Sequence, residues 1–546
     1  MHTFLKRGWE SLSLVGLLLG TLFFAASLTP SLLPRTILTQ GVLAGASFSV
    51  GYGIGVLIAW LWSYLQLPPL AGAVARLLKM GASVLCLGVA LLFLWKMKGW
   101  QNSIRSLMEL PPLEQGEPVL VALVALATAI VVLALGRLFK LLILATARWL
   151  DSLMPRRVAL LLGFIITALV FWAAGNNLLL KAGLRIADSS LRQLDMMMEP
   201  DTPKPTDPLK TGSATSLVRW EELGRMGRNF ISTGPSAGDI GSFTGKPAKE
   251  PIRVYVGLGS AETPEERAKI ALEELKRAGG FERRNLVIIV PTGTGWIDQE
   301  AIDPLEYLLE GDVASVGMQY SYLLSWLSLL AEPGYASESA RALFQEVYHH
   351  WTSLPKETRP RLYLHGLSLG AMNTELSNEL FEVLGDPYQG ALFSGPPFPS
   401  RIWRSLTNER NAGSPEWLPR VGNGSYARFT NQNNELNIPG AEWGPVRVVY
   451  LQYASDPITF FNKHDLYREP DWMKDPRGPD VSPEFRWYPV VTFMQLVLDL
   501  AMSTTSPKGY GHVFAAPHYI NGWVAVTDSA WPEAEIERLK AHFRNR

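Results

Sequence analysis

The sequence predicts a two-part fold: an N-terminal α-helical transmembrane bundle of about five spans, then an α/β domain with a mostly parallel, doubly wound sheet and a helical cap. Three observations carry this. Charge is unevenly shared along the 546 residues: before Lys181 the only acidic residues are Glu10, Glu109, Glu114, Glu117 and Asp151, and none falls in an apolar run. Five apolar segments fill that first part. Beyond Pro200 the charge density becomes that of a water-exposed domain, and strand-like runs alternate with helix-like segments as a doubly wound sheet requires.

A membrane crossing takes about 20 apolar residues. The candidates are Leu12–Leu28, Val42–Leu65, Leu77–Leu94, Val119–Leu135 and Val158–Leu180. Lys6-Arg7 and Ala25-Ala26 around the first segment would also suit a secretory signal, but further spans follow it, so an uncleaved span is the expectation. With the N-terminus inside, basic residues at the span ends are slightly biased to the cytoplasmic side. That bias places the C-terminal domain outside the cytoplasm, periplasmic or extracellular, on a multi-pass protein of the cell (inner) membrane.

Residues 1–195 form the helical part in this reading, and 196–250 a linker and wrapping segment. Pro200, Pro203, Pro205 and Pro208 extend the chain as it leaves the spans. The α/β domain is expected over 251–546. Its strands are Arg253–Gly257, Asn285–Val290, Ala314–Tyr320, Arg361–His365, Gly390–Ser394 and Val446–Tyr453. Tryptophan-bearing insertions near 396–444 and 459–489 are expected as the cap.

Gly366-Leu367-Ser368-Leu369-Gly370 follows an apolar strand and opens a helix-like segment, Ala371–Leu384. Glycines two residues either side of a serine permit a sharp strand-to-helix turn that presents the hydroxyl at the top of a sheet. Asp456 follows the Val446–Tyr453 strand, and Pro457 ends that strand. His512 lies on a glycine-flanked loop, Gly509-Tyr510-Gly511-His512. The order serine, acid, histidine is the one an α/β-hydrolase needs. Ser368 is expected as nucleophile, His512 as general base and then acid, and Asp456 as the group that orients the imidazole. His518 is the nearest competitor for the base. The Leu369 amide and the Pro291–Trp296 loop, through Thr292 and Gly293, are the expected oxyanion donors. His365 and Trp296 are expected to line the substrate site.

The chain resembles a bacterial family of membrane-embedded α/β-hydrolases with a multi-span N-terminal half. The matching stretches are Ser27–Arg35, Pro291–Trp296, Gln319–Leu327, Leu451–Ile458 and Pro476–Pro483, and Phe230–Pro235 is a further shared feature. The resemblance covers nearly the whole chain. It implies a serine-hydrolase fold with Ser368, Asp456 and His512 in the triad places, and it implies no substrate.

Other chemistry finds little support. A formal net charge of +0 gives no argument for nucleic-acid binding. The single cysteine, Cys86, excludes an intrachain disulfide and any zinc-type Cys/His spacing, so no metal or cofactor is expected. The apolar runs carry no charged residue near their centres, which ranks a transporter last. The leading expectation is a serine hydrolase of esterase, lipase or acyltransferase type, acting on a lipidic or envelope substrate at the bilayer. The alternative is a non-catalytic, membrane-anchored hydrolase-fold scaffold. Oligomeric state is not legible.

Overall fold

The computed structural model describes residues 12–68, 72–176, 195–199, 202–323, 334–377 and 383–544. The last residues of the fifth expected span (177–180), residues 324–327 of the Gln319 stretch and 378–382 of the helix after Ser368 lie outside these. Two compact units emerge. One combines Met1–Leu179 with Phe461–Pro507; the other combines Leu180–Phe460 with Lys508–Arg546.

The first unit is helical: α1 (Leu14–Ser27), α2 (Ile37–Tyr64), α3 (Gly72–Leu107), α4 (Pro118–Leu150) and α5 (Arg156–Ala173). Four helices, Ile37–Tyr64, Gly72–Leu107, Pro118–Leu150 and Arg156–Asn176, are long and apolar enough to cross a membrane. Helix α1 has 14 residues, short of the roughly 20 a span needs. The count is therefore four among the described residues, where the sequence suggested five. Leucine, valine and tryptophan cover the outer faces of these helices, with Val84, Leu87, Trp95 and Trp149 all exposed. Glycines draw the inner faces together. A Cβ on Gly55 would lie 2.5 Å from the Gly16 Cα, and one on Gly45 would lie 2.2 Å from the Ala125 carbonyl oxygen. Apolar helices have no hydrophobic drive toward each other in lipid, so such close backbone packing must hold them.

The segment 461–507 belongs to this helical unit, although the sequence suggested that 459–489 caps the α/β domain. A buried polar network explains the difference. On the helix Val491–Ala501, Asp499 accepts from the Ser31 hydroxyl and the Leu32 N–H, both at 3.0 Å, and stands 3.7 Å from the Arg35 guanidinium. Arg35 also donates to the Ser27 carbonyl, and its backbone N–H donates to Gln101 Oε1. Gln495 donates to the Thr29 carbonyl at 3.1 Å. The Ser27–Arg35 stretch is thus a turn whose polar groups are satisfied by an element more than 450 residues downstream.

The second unit is built on seven parallel strands: β1 (Ile252–Val256), β2 (Asn285–Val290), β3 (Val313–Met318), β4 (Arg361–Leu367), β5 (Gly390–Ser394), β6 (Ala427–Thr430) and β7 (Arg447–Leu451). Their order is β1-β3-β2-β4-β5-β7-β6, and every pairing is parallel. Runs such as Leu286-Val287-Ile288-Ile289-Val290 are wholly buried, as strands covered on both faces must be. The helices that bear on the site are α6 (Pro264–Arg277), α7 (Gln299–Leu308), α8 (Tyr335–Ser353), α9 (Leu369–Ser377) and α10 (Ala516–Thr527). Helix α6 starts with a Thr263/Glu266 capping box. Within 396–444, expected as cap, β6 is instead an edge strand. The cap tryptophan Trp403 is buried, with its indole N–H 2.7 Å from Gln452 Oε1.

Removing one member of a buried ion pair leaves the other charge unpaired, at a cost of about 3–5 kcal/mol, whereas an apolar replacement of both is close to neutral. Asp499→Leu or Arg35→Met alone should therefore lower thermal stability in detergent clearly more than the double variant does. A simple sum of the two single losses in the double variant would contradict the coupling.

Candidate active site

Ser368 stands at the carboxyl end of β4, between the strand and α9. Its φ is +56°, a left-handed conformation that costs a non-glycine residue about 1–3 kcal/mol. The surroundings impose it. A Cβ on Gly366 would lie 2.4 Å from the Gly370 carbonyl carbon, and one on Gly370 would lie 2.2 Å from the Val290 carbonyl oxygen. Strand, turn and helix therefore meet backbone to backbone, and only glycine fits at either flank. The Ser368 N–H donates to the Ser394 carbonyl at 2.9 Å, which fixes the turn against the end of β5.

Asp456 follows β7 and is fully buried. Its Oδ2 lies 2.7 Å from His512 Nδ1, and the carboxylate also accepts from the Ile458 N–H and the Thr459 hydroxyl. This places the Nδ1 proton toward the acid and directs Nε2 away from it. Nε2 is buried and makes no hydrogen bond, so the bond to the Ser368 hydroxyl is not formed in this structure. Both residues nevertheless flank one turn. Ser394 holds the serine's N–H, and a Cβ on the next residue, Gly395, would lie 2.8 Å from His512 Cε1.

The histidine loop is a tight turn closed by Gly509 N–H to the Val513 carbonyl at 2.7 Å, with positive φ at Gly509 and Gly511. It follows the helix Val491–Ala501 of the 461–507 segment. Neighbours fasten it: the Gly511 N–H donates to Ser455 Oγ at 2.9 Å, and the Ala515 N–H donates to the Tyr453 hydroxyl at 3.3 Å. Ser455 and Tyr453 escaped the sequence reading, although Ser455 adjoins Asp456. Gly395 escaped it too, and the Gly-Pro-Pro turn after β5 was the available signal.

His518 is distinguished by its partner. Its Nδ1 lies 2.6 Å from the Tyr453 hydroxyl, it meets no carboxylate, and burial pushes its pKa down to about 4. His365 does not line a substrate site. It is buried in the layer between β4 and α10, bonded to the Leu392 carbonyl at 2.7 Å and packed on Trp523, and burial lowers its pKa to about 4. Every residue of β4 from Leu362 to Leu367 is buried, so a histidine within the strand is a core residue.

The oxyanion expectation divides. Leu369 occupies the first turn of α9, whose N–H groups have no partner within the helix. The Thr292 amide, by contrast, is taken: it donates to the Trp296 carbonyl at 2.9 Å, and the Gly295 N–H closes back onto Thr292. Gly293 sits between these bonds at the tip of the turn. Tyr255 and Gln319 brace the loop from β1 and β3, through the Gly295 and Thr294 carbonyls respectively. Trp296 is 38% exposed. A polar cleft of about 240 Å³ lined by Arg284, Asn285 and Arg361 lies at the amino ends of β2 and β4, the opposite edge of the sheet from Ser368. Among the described residues no cluster of His, Cys, Asp and Glu could hold a metal ion.

Residues 252–539 match the alpha/beta-hydrolase family, and residues 28–235 match the alpha/beta-hydrolase family N-terminus. The chain belongs to the alpha/beta-hydrolase family. No curated protein and no solved structure matches it. In an alpha/beta-hydrolase the nucleophile turn, the acid and the base reach the carboxyl edge of the sheet from separate strands and loops, and Ser368, Asp456 and His512 stand at that edge here.

Strain at Ser368 gives a checkable signature. Ser368→Gly should raise thermal stability by the equivalent of about 1 kcal/mol, because glycine adopts φ +56° freely. A second signature concerns Asp298, whose carboxyl lies buried beside the Tyr519 hydroxyl at 3.0 Å; burial raises its pKa from 3.8 to about 7. The folded state then holds a proton that the unfolded chain releases near pH 4. The contribution to stability is complete below that value and disappears as pH rises through about 7. Asp298→Asn should flatten the decline of the melting temperature between pH 5 and 8, and an unchanged slope would refute the assignment.

Proposed function

We propose that this protein is an integral-membrane serine hydrolase of esterase, lipase or acyltransferase type that works through an acyl-enzyme on Ser368. The observation that carries the reading is the Asp456–His512 pair at 2.7 Å, with the opposite ring nitrogen buried and unbonded. It is joined by a serine on a forced left-handed turn whose own N–H contacts the Ser394–Gly395 segment that the His512 ring also approaches.

In this reading His512 Nε2 takes the Ser368 hydroxyl proton as Oγ forms a bond to the carbonyl carbon of an ester. Asp456 holds the ring and stabilises the imidazolium. The Leu369 N–H and the Pro291–Trp296 loop at Gly293 stabilise the oxyanion, where preorganised donors act most strongly. Collapse breaks the bond to the leaving alkoxide, which takes the proton from His512. Water, or a second alcohol, then attacks the acyl-serine by the same route and frees the serine. Hydrolysis and acyl transfer share the intermediate.

Four long apolar helices support embedding in a bilayer, and a tethered enzyme is best matched to a substrate held in the same membrane, hence a lipidic or envelope ester.

A labelled fluorophosphonate should tag the wild-type protein and not Ser368→Ala. His512→Ala should slow tagging by several orders of magnitude; loss of a triad base has cost on the order of 10⁶ in turnover in one hydrolase. His518→Ala should be mild, because that ring serves Tyr453. No tagging of folded wild-type protein, or equal losses at the two histidines, would defeat the reading.

A further inference from the structure

The histidine loop begins where the chain re-enters the α/β unit at Lys508, after 47 residues, Phe461–Pro507, that belong to the helical unit. It ends at Ala516, the first residue of α10. One carboxylate meets both ends. Glu300 Oε2 accepts from the Ala516 N–H at 3.1 Å, and Oε1 lies 2.5 Å from Lys508 Nζ. Glu300 itself sits in the first turn of α7, four residues beyond Trp296 and the loop assigned to the oxyanion.

Two residues earlier, Asp298 caps α7 and accepts from the Tyr519 hydroxyl at 3.0 Å. Tyr519 lies 2.9 Å from Ser394 Oγ, and the Ser394 carbonyl holds the Ser368 N–H. The short segment 298–300 therefore reaches the base through both ends of its loop and the nucleophile through the end of β5. Such a clasp suits a loop whose preceding chain departs into another unit: covalent continuity alone cannot fix Lys508, so the first anchor on re-entry must be non-covalent. The Lys508 ammonium is largely solvent-facing, and exposed ion pairs contribute little by themselves. The sheltered Ala516 N–H is the stronger of the two attachments, and the amide is held at the start of a helix where it has no intrahelical partner.

We propose that Glu300 is a positioning residue for His512, setting the loop so that the imidazole meets Ser368. The inference rests on the serine-hydrolase reading for its rate measurement, but its structural core is tested separately.

The experiment uses the full-length protein in detergent, with fluorophosphonate tagging rates, melting temperature and hydrogen–deuterium exchange of the 508–516 peptide. Glu300→Ala should slow tagging about 10–100-fold, the scale of a misplacement of roughly an ångström, and should raise exchange across 508–516 with global melting nearly unchanged. Glu300→Gln keeps an acceptor for the Ala516 N–H and should recover most of the rate. Ala516→Pro deletes the same N–H at a helix position proline tolerates, after an extended Ala515, and should slow tagging as Glu300→Ala does. Wild-type rate and wild-type exchange in Glu300→Ala would overturn the proposal, as would slowed tagging with unchanged exchange, or a Glu300→Gln as impaired as the alanine variant. Absence of tagging in wild-type protein would instead overturn the serine-hydrolase reading, while the exchange comparison would still decide whether Glu300 orders the loop.

Discussion

The end of β4 runs so close to the start of α9 that there is no room for a Cβ on either flank of Ser368. Gly366 touches the Gly370 backbone, and Gly370 touches the carbonyl of Val290 at the end of β2. That contact forces the serine into a left-handed conformation, begins α9 at Leu369 with its N–H groups facing outward, and brings the loop after β2 alongside. Every later feature of the site uses this geometry. The Ser368 N–H meets the end of β5, and the turn there leaves at Gly395 just enough space for the His512 ring. A larger residue at either glycine would push α9 away from β2, and with it the whole carboxyl edge.

The acid and base solve a different problem. Asp456 and His512 are separated by a segment that folds with the helical unit, so the chain cannot deliver them together as neighbours. Asp456 lies in the buried turn after β7, and its carboxylate caps that turn through the Ile458 N–H. His512 is held on a glycine turn by contacts from Ser455, Tyr453 and the acid itself. The two tyrosine and serine side chains come from the same strand end as Asp456, so one short stretch, Tyr453–Asp456, organises both the carboxylate and the loop it binds.

The sequence made the parallel sheet, the turn at Ser368 and the order of the three polar residues legible, because each rests on local pattern: buried β-branched runs, paired glycines, and a proline after the acid. What was not legible depends on distant partners. The choice between His512 and His518 turns on Tyr453, 65 residues before His518, which captures the latter ring. Strand β6 is four residues long, too short to show a period, and it was hidden in a stretch read as cap. His365 packs against Tyr519 and Trp523 of α10, again partners far along the chain.

The 461–507 segment extends this lesson to domain boundaries. Its helix, Val491–Ala501, is apolar apart from Gln495, Asp499 and Thr492. Gln495 and Asp499 are spaced one helical turn apart, so they project on one side, and that side is buried. A buried carboxylate needs donors, and the donors are the Ser31 hydroxyl, the Leu32 N–H and Arg35, in the turn between α1 and α2. The Leu28–Arg35 stretch, with two prolines and no regular structure, would leave unpaired backbone groups in an apolar unit. Gln495 and Asp499 supply the missing partners, and the turn in turn supplies the charge that makes Asp499 tolerable. Each half is costly alone, which is why residues at opposite ends of the chain fold as one unit, and why the α/β domain is interrupted between its acid and its base.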